Sequence, residues 1–519
     1  MNLLSKRAGR ERRLVAGLVL ILVLVLYSSV AFAHAKLLRS QPEANATLKQ
    51  APKTVELWFS EELEQSASTI IVTDQNGKHV DKNNVSLGEG NKKLQIDVEE
   101  LGPGTYTVEW KALSTDGHTM KGKFTFTVAP AGTQAAAGQP RQAGQAQPSP
   151  PQPSGSPTES MQESGTSWTQ SVVRWFKYLA MMLLVGGFAF HALVLSPSLR
   201  QSRSMNNAQK AVVETVSARR IVLFSWLSLA LLIIVSFVEL VLQAATVFDK
   251  SFGEALSPTL LNQVITQTGF GLSWCLQVWA IIVLLVIVFY LSRLTKREPT
   301  GNHRLWWWVA LASGAVLLLA PGFTGHAVAA SKEFPFAIGT DWLHLLAGGF
   351  WVGGLFHLAL TLPASLSVLE GRHRLHVLHR VIPLFTRLAI ASTILIVLTG
   401  LYNSWMHVDR FGELWTTSYG ETLLLKVLLV VPMIVLGGIN TFVIHPRASR
   451  LIEREESVED GEPANLSRSF YRSVRVEAAL GVLVLLVAAI LVFLQPAREH
   501  PMSRDSHSEP TTEARMAMR

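Results

Sequence analysis

The chain has 519 residues, 49% of them hydrophobic and 16% charged, with a mean hydropathy of +0.28, which is too apolar for a wholly soluble protein and too long for one domain. The net charge of +8 would suit nucleic acid, but the lysines and arginines fall in short loops between apolar segments, where they set membrane topology, so nucleic-acid binding is excluded. The single cysteine, Cys275, excludes disulfide-held domains and CxxC metal sites. No phosphate-binding Gly-x4-Gly-Lys-Ser/Thr loop is present, so the chain carries no sign of hydrolysing ATP.

Residues 1–33 read as an export signal. Lys6, Arg7, Arg10, Arg12 and Arg13 precede an apolar run over 14–30, and Ala31-Phe32-Ala33 has the small-x-small form of a cleavage site. Cleavage there makes His34 the first residue, with an α-amine and an imidazole able to close a chelate ring on one metal ion. Both nitrogens bind only when deprotonated, so affinity weakens as pH falls.

Residues 34–130 alternate in short strands, with candidates at 54–60, 68–73, 92–98, 104–113 and 121–128 and a hairpin turn at Asn76-Gly77. This predicts a small all-β sandwich or barrel. Asp116-Gly117-His118 sets a carboxylate and an imidazole on one side of a tight loop. With His34 they make an N/O donor set of the kind that suits Cu(II).

Several runs here resemble CopC, a family of periplasmic copper-binding proteins: His34-Ala35 to Ser40-x-Pro42; Val55-x-Leu57-x-Phe59-Ser60-Glu61; and Trp110 with Ser114-x-Asp116-Gly117-His118, then Gly122-x-Phe124-x-Phe126-x-Val128. The resemblance implies a Greek-key β fold and Cu(II) ligation by His34, Asp116 and His118. Met120 is the only methionine over 34–130, so the methionine-rich Cu(I) site of many relatives is not expected.

Residues 131–166, rich in Gln, Pro, Ala, Gly and Ser, read as a disordered tether. The remainder, 167–497, reads as a membrane domain of eight spans near 172–195, 221–247, 269–291, 305–323, 342–362, 381–401, 423–444 and 474–494. Alternate loops hold seventeen basic residues, among them Arg200, Arg219, Arg297, Arg374 and Arg450, against Lys250, Lys332 and Arg410 in the others. The rich loops face the cytoplasm. The β domain and the tail 498–519, read as disordered, then lie outside a bacterial plasma membrane crossed many times.

Ionisable groups inside a bilayer are functional candidates by default. Near the outer face stand His326, then Asp341 and His344, which share a helix face. Nearer the cytoplasm stand His191 and His357, with Arg387 and Glu477 expected to form a structural ion pair. His344 and His357 lie about 20 Å apart along one helix, as two stations for a metal ion. The glycines at 348, 349, 353 and 354 supply small-xxx-small spacing for helix packing.

The run from Asp341-Trp342-Leu343-His344 to Trp351-Val352-Gly353-Gly354-Leu355 resembles CopD, a copper-resistance membrane family. Thr399-Gly400-Leu401-Tyr402, Lys426-Val427 and Gly437-Gly438-x-Asn440 carry the same resemblance. CopC followed by CopD resembles the fused copper-uptake proteins of the YcnJ type. The resemblance implies a copper importer and not an enzyme. On this expectation Cu(II) binds the outer domain, and Cu(I) or Cu(II) passes His326, Asp341, His344, His357 and His191. The sequence identifies neither a copper chaperone nor a reductase. Two other classes stay open: a histidine-brace copper oxidase of the lytic polysaccharide monooxygenase kind, and a haem-binding redox membrane protein with paired histidine ligands.

Overall fold

The computed structural model describes residues 37–114, 119–130, 167–202, 204–297, 303–323, 334–407, 411–453 and 461–494. The export signal, His34, Asp116, His118, the tether at 131–166, His326 and the tail therefore lie outside the described residues.

Eight strands build two four-stranded sheets: β1 (Leu37–Gln41), β2 (Thr47–Leu48), β3 (Thr54–Phe59), β4 (Leu63–Thr73), β5 (Ser86–Gly88), β6 (Lys93–Asp97), β7 (Gly104–Ser114) and β8 (Thr119–Val128). One sheet runs β1-β3-β6-β5 and the other β2-β8-β7-β4. Alternation turns Val55, Leu57 and Phe59 of β3 inward against Val108, Trp110 and Phe126 of the facing sheet, a face-to-face core. Trp110 fixes the register locally. It stands opposite Gly122 of β8, where a Cβ would come 2.4 Å from the indole ring, and its ring meets Phe59 edge-on at 5.2 Å.

Eight helices long and apolar enough to cross a membrane follow: α1 (Trp168–Gln201), α2 (Asn207–Phe248), α3 (Gly269–Arg297), α4 (Arg304–Phe323), α5 (Phe336–Leu366), α6 (His373–Trp405), α7 (Ser418–Glu453) and α8 (Glu462–Leu491). All eight expected spans are present, several longer than their apolar stretches. The 42 residues of α2 reach about 63 Å at 1.5 Å per residue, twice the hydrocarbon thickness, so it projects well beyond the bilayer.

α1 is the most enclosed helix and packs on α2, α4, α5 and α8. Its crossing with α5 is a backbone contact. A Cβ at Gly353 would lie 2.0 Å from the Met182 carbonyl oxygen, and one at Gly186 would lie 2.2 Å from the Gly353 carbonyl carbon. Only glycine allows this approach. Among the described residues three π-helical turns interrupt the bundle, at Phe190–Leu195 in α1, Gly349–Gly353 in α5 and Asn440–Ile444 in α7; such turns often mark functional sites.

Candidate metal centre

The described residues next to the expected ligands, Leu37, Ser114 and Thr119, lie at one end of the β domain. Leu37, the first described residue, pairs with Phe59, and three residues of chain from there reach about 10 Å at most. Leu63, just past Phe59, pairs with Ser114, so the chain entry and the two residues flanking the Asp116 to His118 loop, Ser114 and Thr119, share that end. Ser114 Oγ donates to Glu61 Oε2 at 2.7 Å, both residues being buried. This bond pins the root of the loop to the β3–β4 connection.

The same end of the β7–β8 hairpin sits on the helical domain. Lys111 and Lys121 both reach Asp249, the left-handed cap of α2, and Lys111 also donates to the Val247 carbonyl. Ala67 and Leu113 pack on Val247 and Phe248 beneath them, and the Gly269 amide donates to Glu64 Oε1 at 2.6 Å. Burial pushes the Lys111 ammonium down, opposed by Asp249. Burial would raise the Asp249 carboxyl, but hydrogen bonds and charge from Lys121 and Lys111 outweigh it and hold the group below the usual carboxylate range.

Inside the bundle, Asp341 and His344 of α5 face α6. Asn403 Nδ2 donates to Asp341 Oδ1 at 2.7 Å, and His344 Nδ1 lies 2.8 Å from Thr399 Oγ1. Thr399 already gives its one hydroxyl proton to the Leu395 carbonyl, 2.7 Å away. It must therefore accept from His344, which puts the imidazole proton on Nδ1 and leaves the lone pair on Nε2, the state a metal ligand needs.

His357 is held differently. Its Nε2 lies 2.9 Å from the Leu183 carbonyl, which can only accept, so Nε2 carries the proton. Nδ1 then accepts from Thr361 Oγ1 at 2.9 Å, and Phe190 and Phe224 flank the ring. The imidazole read as a metal station is thus hydrogen-bonded at both nitrogens, because the Gly186–Gly353 crossing brings the α1 backbone against it.

His191 follows Phe190 on the π turn of α1. Its ring stacks on Trp307 at 3.9 Å, Nε2 lies 3.9 Å from Glu214 Oε1, and Nδ1 is buried without a hydrogen bond. It lines a polar cavity of about 480 Å³ with Arg200, Glu214, His303, Arg304 and Trp307, beside the arginine-rich loops.

One expectation fails. Arg387 and Glu477 form no ion pair: Arg387 is exposed on α6, whereas Glu477 is 3% exposed on α8. The buried pair that does form joins Lys177 of α1 to Glu239 of α2 at 2.6 Å, and sequence reasoning passed over Lys177. Thr361 and Glu214 were also missed, although a threonine four residues after an intramembrane histidine was a readable signal. Among the described residues no three His, Cys, Asp or Glu side chains converge as a metal site.

The comparisons agree with this two-part build. The CopC domain family matches residues 37–129, the N-terminal domain of the copper resistance protein D-like family 161–333, and the copper resistance protein D family 379–491. The chain is 27% identical over 492 residues to the copper transport protein CutJ of Bacillus subtilis, covering 93% of this chain and 79% of that protein. It is 30% identical over 245 residues to copper resistance protein D of Pseudomonas syringae pv. tomato, covering 46% and 73%. With copper resistance protein C of Xanthomonas campestris pv. juglandis it shares 33% over 123 residues, covering 22% and 96%. The chain belongs to the CopC–CopD family. Its CopC part is the β-sandwich and its CopD part the eight-helix bundle; residues 334–378, with Asp341, His344 and His357, lie between the two CopD matches.

Proposed function

We propose that this protein imports copper across the bacterial plasma membrane. The β domain, outside the cell, captures Cu(II) through the α-amine and imidazole of His34 with Asp116 and His118. It delivers the ion to His326, Asp341 and His344, from which copper moves inward past His357 and leaves through the polar cavity at His191. His344 supports the entry role, since its Nε2 lone pair is free of hydrogen bonds while Thr399 fixes the ring. For His357 to take part, Thr361 turns its hydroxyl to the carbonyl one turn back, as helical threonines do, and uncovers Nδ1.

The observation that carries this reading is the docking of the β7–β8 hairpin, whose end flanks the ligand loop, onto the end of α2 through Lys111, Lys121 and Asp249. A capture domain that hands over cargo has to meet its acceptor with the loaded end. The CopC and CopD parts in one chain, and relatives named for copper transport and resistance, support the cargo.

The test has two parts. N-terminal sequencing of the mature protein with EPR of its Cu(II) form is expected to find His34 first and nitrogen ligation that is lost in His118→Ala. Copper accumulation is expected to fall in His344→Ala at equal expression. Uptake equal to wild type would remove His344 from the route, and outward movement in vesicles of known orientation would reverse the assignment.

A further inference from the structure

A second polar constellation lies in the bundle, apart from the histidine route. Glu477 stands about one turn inside the apolar stretch 474–494 of α8 and is 3% exposed. Among the described residues nothing forms an ion pair with it. Lys177 of α1 is held by Glu239, His357 of α5 by Thr361 and Leu183, and His344 by Thr399. Arg387 of α6 is exposed, as is Arg475 on α8 itself, and α7 offers Lys426 and His445 only near its two ends.

The carboxyl borders a largely apolar cavity of about 250 Å³ between α5, α6, α7 and α8. Two further polar atoms on its walls are buried without a hydrogen bond, Trp351 Nε1 and Asn440 Oδ1. Both sit on π turns, Gly349–Gly353 and Asn440–Ile444. The indole N–H can only donate and the amide oxygen can only accept. A carboxylate here would have one partner and no counter-charge, a costly state in hydrocarbon. A neutral carboxylic acid can use both kinds of group, its carbonyl accepting from an indole N–H and its O–H donating to an amide oxygen such as that of Asn440 on the same cavity wall. The same pair does not suit a metal ion, because the N–H presents positive charge to the cavity and the other polar lining groups are the threonine hydroxyls of Thr386, Thr393 and Thr441.

We propose that Glu477 is a proton-binding residue, loaded and unloaded as the π turns of α5 and α7 shift, and that it couples copper movement to the proton gradient. The chain carries no ATP-binding loop, and a proton-binding carboxyl in the bundle is a means by which uphill copper movement could draw on the proton gradient. The coupling rests on the transport reading above; the proton site does not.

Two measurements on the full-length protein in liposomes test it. Dicyclohexylcarbodiimide, an apolar reagent that reaches buried carboxylic acids from the lipid, is expected to modify Glu477, with peptide mass spectrometry as the readout. Modification falls as the pH rises, because only the protonated acid reacts, and is absent in Glu477→Gln. In the second, one proton coupled across about 100 mV supports roughly fifty-fold copper accumulation. Glu477→Gln is expected to lose that gradient-driven component while still equilibrating copper, and Glu477→Asp to keep part of it. Glu477 unmodified at every pH, or Glu477→Gln responding to the gradient as wild type does, overturns the proposal. Modification with the expected pH dependence in a wild-type protein that moves no copper supports the proton site and sinks the transport reading instead.

Discussion

Thr399→Val is the sharpest probe of the entry site, because it removes one hydroxyl and keeps the shape. His344 Nδ1 donates to Thr399 Oγ1 at 2.8 Å, and that oxygen can accept because its own proton is given to Leu395 at 2.7 Å. With valine, the imidazole keeps its proton on Nδ1 as a buried donor without an acceptor, at a cost of about 1–3 kcal/mol, or moves it to Nε2 and loses the lone pair that would face copper. At 1.36 kcal/mol per tenfold, either outcome lowers the occupancy of the competent tautomer roughly five- to 150-fold, in line with the about 10–100-fold typical of removing a partner behind a metal ligand. Asp341 keeps its bond from Asn403, so the loss should appear as a raised KM for copper uptake in proteoliposomes, with Thr399→Ser close to wild type. A Thr399→Val protein with wild-type KM and normal folding would refute the argument that the hydroxyl sets the tautomer.

Three further outcomes follow from other contacts. The Asp249 carboxyl is depressed by docking, so its contribution is present above about pH 4 and is lost as pH falls through the docked value; cross-linking of Leu113→Cys to Val247→Cys, with Cys275 replaced by serine, should drop at acid pH and at high salt, and a yield flat in both would dismiss the clasp. Gly353→Ala forces α1 and α5 apart by about 1 Å and should destabilise the bundle by about 1–3 kcal/mol or more, read as a lowered Tm in detergent, whereas Gly339→Ala, with open space at its Cβ position, should not. Lys177→Ala strands the Glu239 carboxylate at a cost of about 3–5 kcal/mol, and adding Glu239→Gln should recover most of it; no recovery would mean the damage comes from lost packing.

Much of the architecture was readable because it rests on periodicity. Strands β3, β6, β7 and β8 announce themselves by alternation, and the eight spans by length and hydropathy. β1, β2 and β5 were not found, since each is short and lies at a sheet edge, where one partner strand, not a repeating pattern, determines pairing. The site was legible by residue type only. His191, Asp341, His344 and His357 stand out as ionisable groups in apolar helices, but their states depend on the crossing partner: Thr399 leaves His344 with a free lone pair, while the Leu183 carbonyl occupies His357. Arg387 and Glu477 were paired by charge and depth, two properties blind to which face of a helix each occupies. The sequence places Lys177 near the end of its span, where a lysine normally reaches for water; the enclosure of α1 turns it inward instead.

The proposed delivery step bears on how strong the clasp between the two parts can be. Lys121 and Asp249 are 39% and 49% exposed, so their attraction is screened, and exposed pairs of this kind contribute about 0–1 kcal/mol. The more enclosed part comprises Lys111 on the Val247 carbonyl and Asp249, the Gly269 amide on Glu64, and Ala67 and Leu113 against Val247 and Phe248. If such a contact between separate molecules is worth about 4 kcal/mol, its Kd is roughly millimolar. Residues 131–166 join the two parts, however, and covalently linked partners meet at an effective concentration of about millimolar. At that strength docked and undocked forms are both populated, as the proposed shuttle between capture and release needs. The β domain expressed alone should therefore show no binding to the helical domain at micromolar concentration, while the intact chain cross-links readily. Tight binding by the separated domain would mean a fixed assembly, and copper would then have to reach its outer ligands without the domain ever leaving α2.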